Sequence, residues 1–274
     1  MTDTRPIIVG GCYRSGTSLA RRLLDAHPNI HCGTEVKLFR DFYSDYLGVE
    51  DPIAHLRFMA TARTLVPEGE LLEILGAALV EMHERAARAA GKPRWADKVP
   101  ENAVFLEQWR RILGDEWIFL HVVRNPLDTL ASIEDAGFPR SIPAGLDERI
   151  DLYVEYARAG LRFAEECPDR YVRLRCEHLV MEPEAALREL MEALGECFVA
   201  RQLDLNAFPH QHGLEDPKAG EASEIHRDGL GRWHGVLDLH QAATIVRRTG
   251  ALWARLAPGV PLPDLGPAEL RSPS

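Results

Sequence analysis

The stretch PIIVGGCYRSGTSLARRLLDAHP, residues 6–28, leaves little freedom for what surrounds it. Residues 6–12, PIIVGGC, are a β-branched apolar run ended by glycines, which reads as a short buried strand. From Ser18 to His27 the spacing turns helical. Leu19, Leu23 and Ala26 share a face, Arg21, Arg22 and Asp25 fall to the solvent side, and Pro28 stops the helix. A strand that turns through glycines straight into a helix is the first half of a βαβ unit, and such units build parallel sheets covered by helices.

The rest of the chain keeps that alternation. WIFLHVVR, 117–124, is the strongest strand signal, with the nearly continuous apolar run of a strand buried on both faces. RWADK, 94–98, reads as a short strand end and YVRLRC, 171–176, as another strand. Helical spacing links Leu71, Leu72, Leu75, Leu79 and Met82. It links Phe105, Trp109, Ile112 and Leu113, then Leu152, Tyr156 and Phe163, then Leu187, Leu190, Met191 and Leu194. Further helices are predicted from Pro126 and over 239–256. Residues 201–232 are rich in Pro, Gly, His and charge and read as a long loop. With no repeat and no linker, 1–274 is predicted to be a single α/β domain with a mostly parallel sheet flanked by helices. Within it, 196–232 forms a lid or acceptor loop and 257–274 a Pro-rich tail.

Composition excludes several classes. Apolar residues make up 46% and charged residues 27%, as in an ordinary globular protein. The net charge of −10 disfavours a nucleic-acid or membrane-surface binder. The five cysteines are odd in number and lack a C-x-x-C pair, so neither a disulfide framework nor a structural metal site is expected. No signal peptide precedes the first strand and no run of about 18 apolar residues occurs, so a cytoplasmic protein without a membrane span is expected.

The glycine turn carries chemistry. Gly11 and Gly16 have the G-x-x-x-x-G spacing of a phosphate loop, and Ser18 stands where such loops place a hydroxyl. The lysine usual between the second glycine and that hydroxyl is replaced by Thr17, and a cation appears earlier, at Arg14. A strand–loop–helix turn aims backbone N–H groups at an anion. Ser15, Thr17 and Ser18 add hydroxyl donors, and Arg14 adds a planar fork. Without the lysine, a single 5′-phosphate carrying a second group fits better than a metal-bound triphosphate.

PIIVGGCYRSGTSLARRLLDAHPNI and its continuation HCGTEVKLFRDF resemble the 5′-phosphosulfate loop of sulfotransferases that use 3′-phosphoadenosine 5′-phosphosulfate. RSGT-S-L, LLDAHP and CG-x-E are most similar to the protein-tyrosine sulfotransferase branch. HVVRNPLDTLAS, 121–132, resembles the family's 3′-phosphate segment, with Arg124 at a strand end and Ser132 eight residues on. GRWHGVLD, 231–238, resembles the late segment that closes over the nucleotide, with Arg232 as its cation. The likeness is strong over 6–42 and 94–136, moderate over 171–195, and weak over 43–93 and 196–230.

The resemblance implies a P-loop nucleotide-kinase-like sulfotransferase fold. It implies a phosphosulfate donor, 3′-phosphoadenosine 5′-phosphate as product, no metal, and a hydroxyl acceptor on a small molecule, a glycan or a peptide tyrosine. It places the general base at Glu35, with Lys37 beside it. Arg14 and Lys98 are the candidates for charge neutralisation. Ser223 is a candidate hydroxyl from the lid. His121 is an alternative base, but its place inside a buried strand reads as core. Two departures stand out: Ala136 and Cys176 occupy positions where the branch has an Arg and a Tyr, which leaves Arg173, Arg175, Arg227 and Arg232 to supply the missing grip. A nucleotide kinase and a non-catalytic nucleotide-binding domain stay open as alternatives, as does the oligomeric state, a homodimer included.

Overall fold

The computed structural model describes residues 3–43, 61–136, 142–206 and 224–265. Five strands, β1 (Ile7–Gly10), β2 (Ile30–Cys32), β3 (Arg94–Lys98), β4 (Ile118–Val123) and β5 (Tyr171–Arg175), form one sheet in the order β2-β3-β1-β4-β5. Every pairing is parallel, with Val9 level with Lys98 on one side and Leu120 on the other. Both faces are covered, as the alternation predicts. Ile7, Val9, Leu120 and Val122 pack against Leu23 and Leu24 of α1 (Thr17–Asp25) and Leu187, Leu190 and Met191 of α8 (Pro183–Ala193). Ile8, Phe119 and Val123 face the other way. They join Leu72 and Leu79 of α3 (Glu68–Ala89), Trp109 of α4 (Leu106–Leu113), Tyr153 and Phe163 of α6 (Leu146–Glu166), and Trp253 of α9 (Leu239–Leu256). All of β4 is buried. At ~1.5–3 kcal/mol per large apolar side chain, its burial contributes substantially to the core.

The connections open a crevice. From β1, α1 leaves on one face of the sheet. From β3 and β4, α4 and α5 (Pro126–Ala136) leave on the other. In open parallel sheets ligands bind at such a reversal, outside the carboxyl ends of the strands.

Three expectations need correction. Arg21 and Arg22 are not on a wet face: they are only 2% and 3% exposed. Arg22 donates to Leu205 O at 2.9 Å, and Arg21 to Cys32 O at 3.2 Å and Gly33 O at 3.3 Å. Backbone from outside the helix covers that face, and guanidinium groups satisfy its carbonyls. Asp25 is likewise drawn in, accepting from the Cys32 amide at 3.0 Å and pairing with His31 at 3.2 Å and Lys92 at 3.4 Å. Finally, the predicted long loop is partly ordered as 3₁₀ turns: Ala200–Leu203 spans its start and Arg232–Gly235 begins at its end. Residues 207–223 of it lie outside the described residues.

Candidate active site

The carboxyl ends of four neighbouring strands build the site. After β1 the chain runs through Gly11–Gly16 into α1. Gly11 is required by close approach, since a Cβ there would lie 2.1 Å from Val122 O on β4. Gly16 is left-handed, φ 94°, and forms the helix N-cap without a side-chain hydrogen bond. Arg14 is the one non-glycine residue with positive φ, 67°, among the described residues. Left-handed residues two positions apart, Arg14 and Gly16, turn the N–H groups of the loop to one side, which makes an anion-binding concavity. No acidic side chain occupies the first turn of α1. Ser15 is 1% exposed and its Oγ has no hydrogen-bond partner. A buried, unspent hydroxyl beside an uncapped helix start suits an anion.

Beside the loop stands a charged cluster. Lys98, at the end of β3, is buried, and its Nζ lies 2.5 Å from Glu35 Oε1 and 3.2 Å from Ser18 Oγ. Glu35 follows β2, and its side chain is 5% exposed. Its other oxygen is 3.3 Å from Lys37 Nζ. Arg21 fixes this stretch by holding the carbonyls of Cys32 and Gly33.

The other half of the site comes from β4 and α5. Arg14 Nε donates to Ser132 Oγ at 3.0 Å, so the residues assigned to the 5′ and 3′ ends touch. Arg124 donates to Arg14 O at 2.8 Å and to Gly229 O at 2.5 Å, and its buried Nε has no partner. Asp128 accepts from the amides of Gly231 at 3.0 Å and Trp233 at 3.2 Å, pinning the closing segment to α5. Arg232, expected to face the nucleotide, is paired with Asp135 of α5. Ser223 lies outside the described residues. Of the arginines proposed to replace the missing grip, Arg173 donates to Arg255 O at 3.2 Å and Arg227 to Met181 O at 2.8 Å, so both hold structure.

A match to the sulfotransferase family runs over residues 6–198. The chain belongs to the sulfotransferase family. This sulfotransferase is 24% identical over 211 residues to a putative protein-tyrosine sulfotransferase of Caenorhabditis briggsae, covering 76% of the chain and 69% of that protein. It is 23% identical over 272 residues to protein-tyrosine sulfotransferase A of Caenorhabditis elegans, covering 89% of the chain and 66% of that protein. In fold it is similar to the sulfotransferase domain of the Synechococcus PCC 7002 olefin synthase, with a TM-score of 0.66 at 18% identity over 95% of this chain and 98% of that one. Among the described residues no helix is long and apolar enough to cross a membrane and no cluster has the makings of a metal site.

Within this sulfotransferase His121 lies in the core, as its place in a buried strand leads one to expect. It is buried on β4, its Nδ1 lies 3.0 Å from Tyr171 OH, and burial, with Arg173 adding to it, holds it neutral with a pKa near 3. Sequence reasoning missed Tyr13, Glu101 and Asp128. Tyr13 OH donates to Glu101 Oε1, and Glu101 lies 3.7 Å from Lys37. The one available signal was position: Tyr13 adjoins Arg14 and Glu101 follows Lys98 by three residues. Glu177, next to Cys176, accepts from the Asn125 amide at 2.7 Å. Burial raises its pKa, against the pull of that amide and of Arg124 and Arg175.

Proposed function

We propose that this sulfotransferase moves a sulfonate from 3′-phosphoadenosine 5′-phosphosulfate to an acceptor hydroxyl, with Glu35 as general base. One observation carries the reading: Lys98 Nζ is shared between Glu35 Oε1 and Ser18 Oγ, at 2.5 and 3.2 Å, which joins a buried carboxylate directly to the anion loop. The donor supplies, when bound, an activated sulfonate on a good leaving group. The loop amides, Ser15, Thr17 and Ser18 hold its 5′ end, and Arg14 neutralises charge there. Arg124 and Ser132 hold the 3′-phosphate, and Arg232 serves the same end if it leaves Asp135. Lys98 turns from Glu35 toward the sulfonate oxygens, which leaves Oε1 open to take the proton of the acceptor hydroxyl. In-line transfer asks for positioning and charge stabilisation more than for covalent chemistry, and these residues supply both.

The names of the relatives favour phenols and tyrosine peptides as acceptors, with sugar hydroxyls next. All five cysteines are free, which fits a reducing cytoplasm. Calorimetry with 3′-phosphoadenosine 5′-phosphate in the absence of metal, against Mg–ATP, tests the donor class. Binding of the bisphosphate alone is expected, and binding of Mg–ATP alone would overturn the reading in favour of a kinase. Glu35→Gln is expected to keep that affinity and to lose about 100-fold or more in turnover. Unchanged turnover would remove Glu35 as base.

A further inference from the structure

We propose that Glu101 is a positioning residue for the transfer: with Tyr13 it holds Lys37 between two carboxylates, and so sets how much of that cation's charge Glu35 feels. The inference rests on Glu35 being the base. Glu101 lies in the 3₁₀ turn Pro100–Val104 that follows β3, and its side chain is 6% exposed. A carboxylate this buried needs partners, and it has them in Tyr13 OH, from the anion loop, and Lys37 Nζ at 3.7 Å. Lys37 is at the same time 3.3 Å from Glu35 Oε2.

The cluster is thus a row of alternating charge, Lys98, Glu35, Lys37 and Glu101, with the Tyr13 hydroxyl on Glu101. The formal charges of these four side chains sum to zero. Other charged and polar groups among the described residues stand near the row. Asp97 turns to Asn102 at 2.7 Å and His83 at 3.0 Å. Arg21 turns to backbone carbonyls. Tyr156 meets the ring of Tyr13 at 5.9 Å. Glu35 therefore has two cations against it, and Glu101 is the carboxylate that shares one of them. Removing the Glu101 charge leaves Lys37 to Glu35 alone and strengthens the attraction that this cation exerts on the base. Removing Lys37 does the opposite. A residue that only packed would shift neither.

The test follows release of the bisphosphate from the donor by the full chain, with 4-nitrophenol or a tyrosine peptide added, so that transfer to either and to water is counted. Glu101→Gln is expected to lower turnover about 10-fold at neutral pH and to move the acid limb of its pH profile downward, with bisphosphate affinity by calorimetry unchanged. Lys37→Met is expected to move the limb upward, and the double variant to lie between. Tyr13→Phe keeps the Glu101 charge but frees it for Lys37, and should move the limb upward. A readout without substrate accompanies these. Carbodiimide coupling followed by mass spectrometry should yield Lys37–Glu101 and Lys37–Glu35 amides in the wild type, and more of the second in Glu101→Gln. An acid limb in one place in all variants, or no Lys37–Glu101 amide, overturns the proposal. If Glu35→Gln keeps its turnover, the base assignment has failed first; if Glu35→Gln is inactive and Glu101→Gln leaves the limb in place, this inference alone has failed.

Discussion

Arg124 offers the sharpest test of the donor site, because its guanidinium is spent in two ways. It spans two carbonyls, Arg14 O in the anion loop at 2.8 Å and Gly229 O in the closing segment at 2.5 Å. Hydrogen bonds to a charged group contribute about 1.5–3 kcal/mol each. Water enters the vacated space in Arg124→Ala and replaces part of this, so the net loss of stability should be about 2–4 kcal/mol. For a chain of this size that is a fall in Tm of roughly 5–15 °C. The proposed 3′-phosphate contact adds a separate term. Loss of a buried charge-assisted contact of about 2–3 kcal/mol weakens the bisphosphate about 30–150-fold. Calorimetry on the folded variant should show that loss with 3′-phosphoadenosine 5′-phosphate and little of it with adenosine 5′-phosphate, which has no 3′-phosphate. An equal loss with both nucleotides would mean that Arg124 only scaffolds the loop. No loss with either would put the 3′ site elsewhere.

Three further perturbations probe the frame. Arg21→Met should cut turnover at least 10-fold while leaving bisphosphate affinity within about twofold, because it frees the Cys32 and Gly33 carbonyls that place Glu35; steady-state kinetics beside calorimetry will check this. Gly11→Ala drives a methyl to 2.1 Å from Val122 O, with backbone on both sides and no side chain to yield; denaturant unfolding should show a loss of about 3 kcal/mol or more. Asp25 has a pKa lowered to about 2: burial works against its ionised form, but the bonds from His31 and the Cys32 amide, with Lys92, outweigh it. A carboxyl depressed in the folded state contributes stability that is complete above its ordinary value of 3.8 and is lost as pH falls toward 2. Asp25→Asn should therefore flatten the stability profile in that window.

The parts of the fold legible in the sequence are those whose burial is two-sided. β4 reads directly from IFLHVV because neither face meets water, and β1 reads from a β-branched run stopped by glycines. β2 was missed: at three residues, with His31 in the middle, it is too short to show a period. The burial of Arg21 and Arg22 was missed for another reason. Helical periodicity reports which residues are apolar, and it is blind to a guanidinium that goes inside to satisfy carbonyls of a distant segment. In the site, the loop and the Arg124–Ser132 spacing lie within single stretches and could be read. The contacts of Glu101 with Tyr13 and Lys37 join three segments, and only the sheet order brings those together.

Arg14 sets two demands on the chain against each other. Its left-handed backbone, φ 67°, is one that glycine adopts freely and that a residue with a side chain holds at a cost of about 1–3 kcal/mol. Its side chain returns part of this through Ser132. A search for heat-resistant variants would thus find glycine at position 14 attractive, and each such variant would have lost the cation of its anion loop. If Arg14 serves the donor as proposed, thermostability and donor affinity should separate at this residue, and a screen that scores only survival on heating would enrich variants with weakened donor binding.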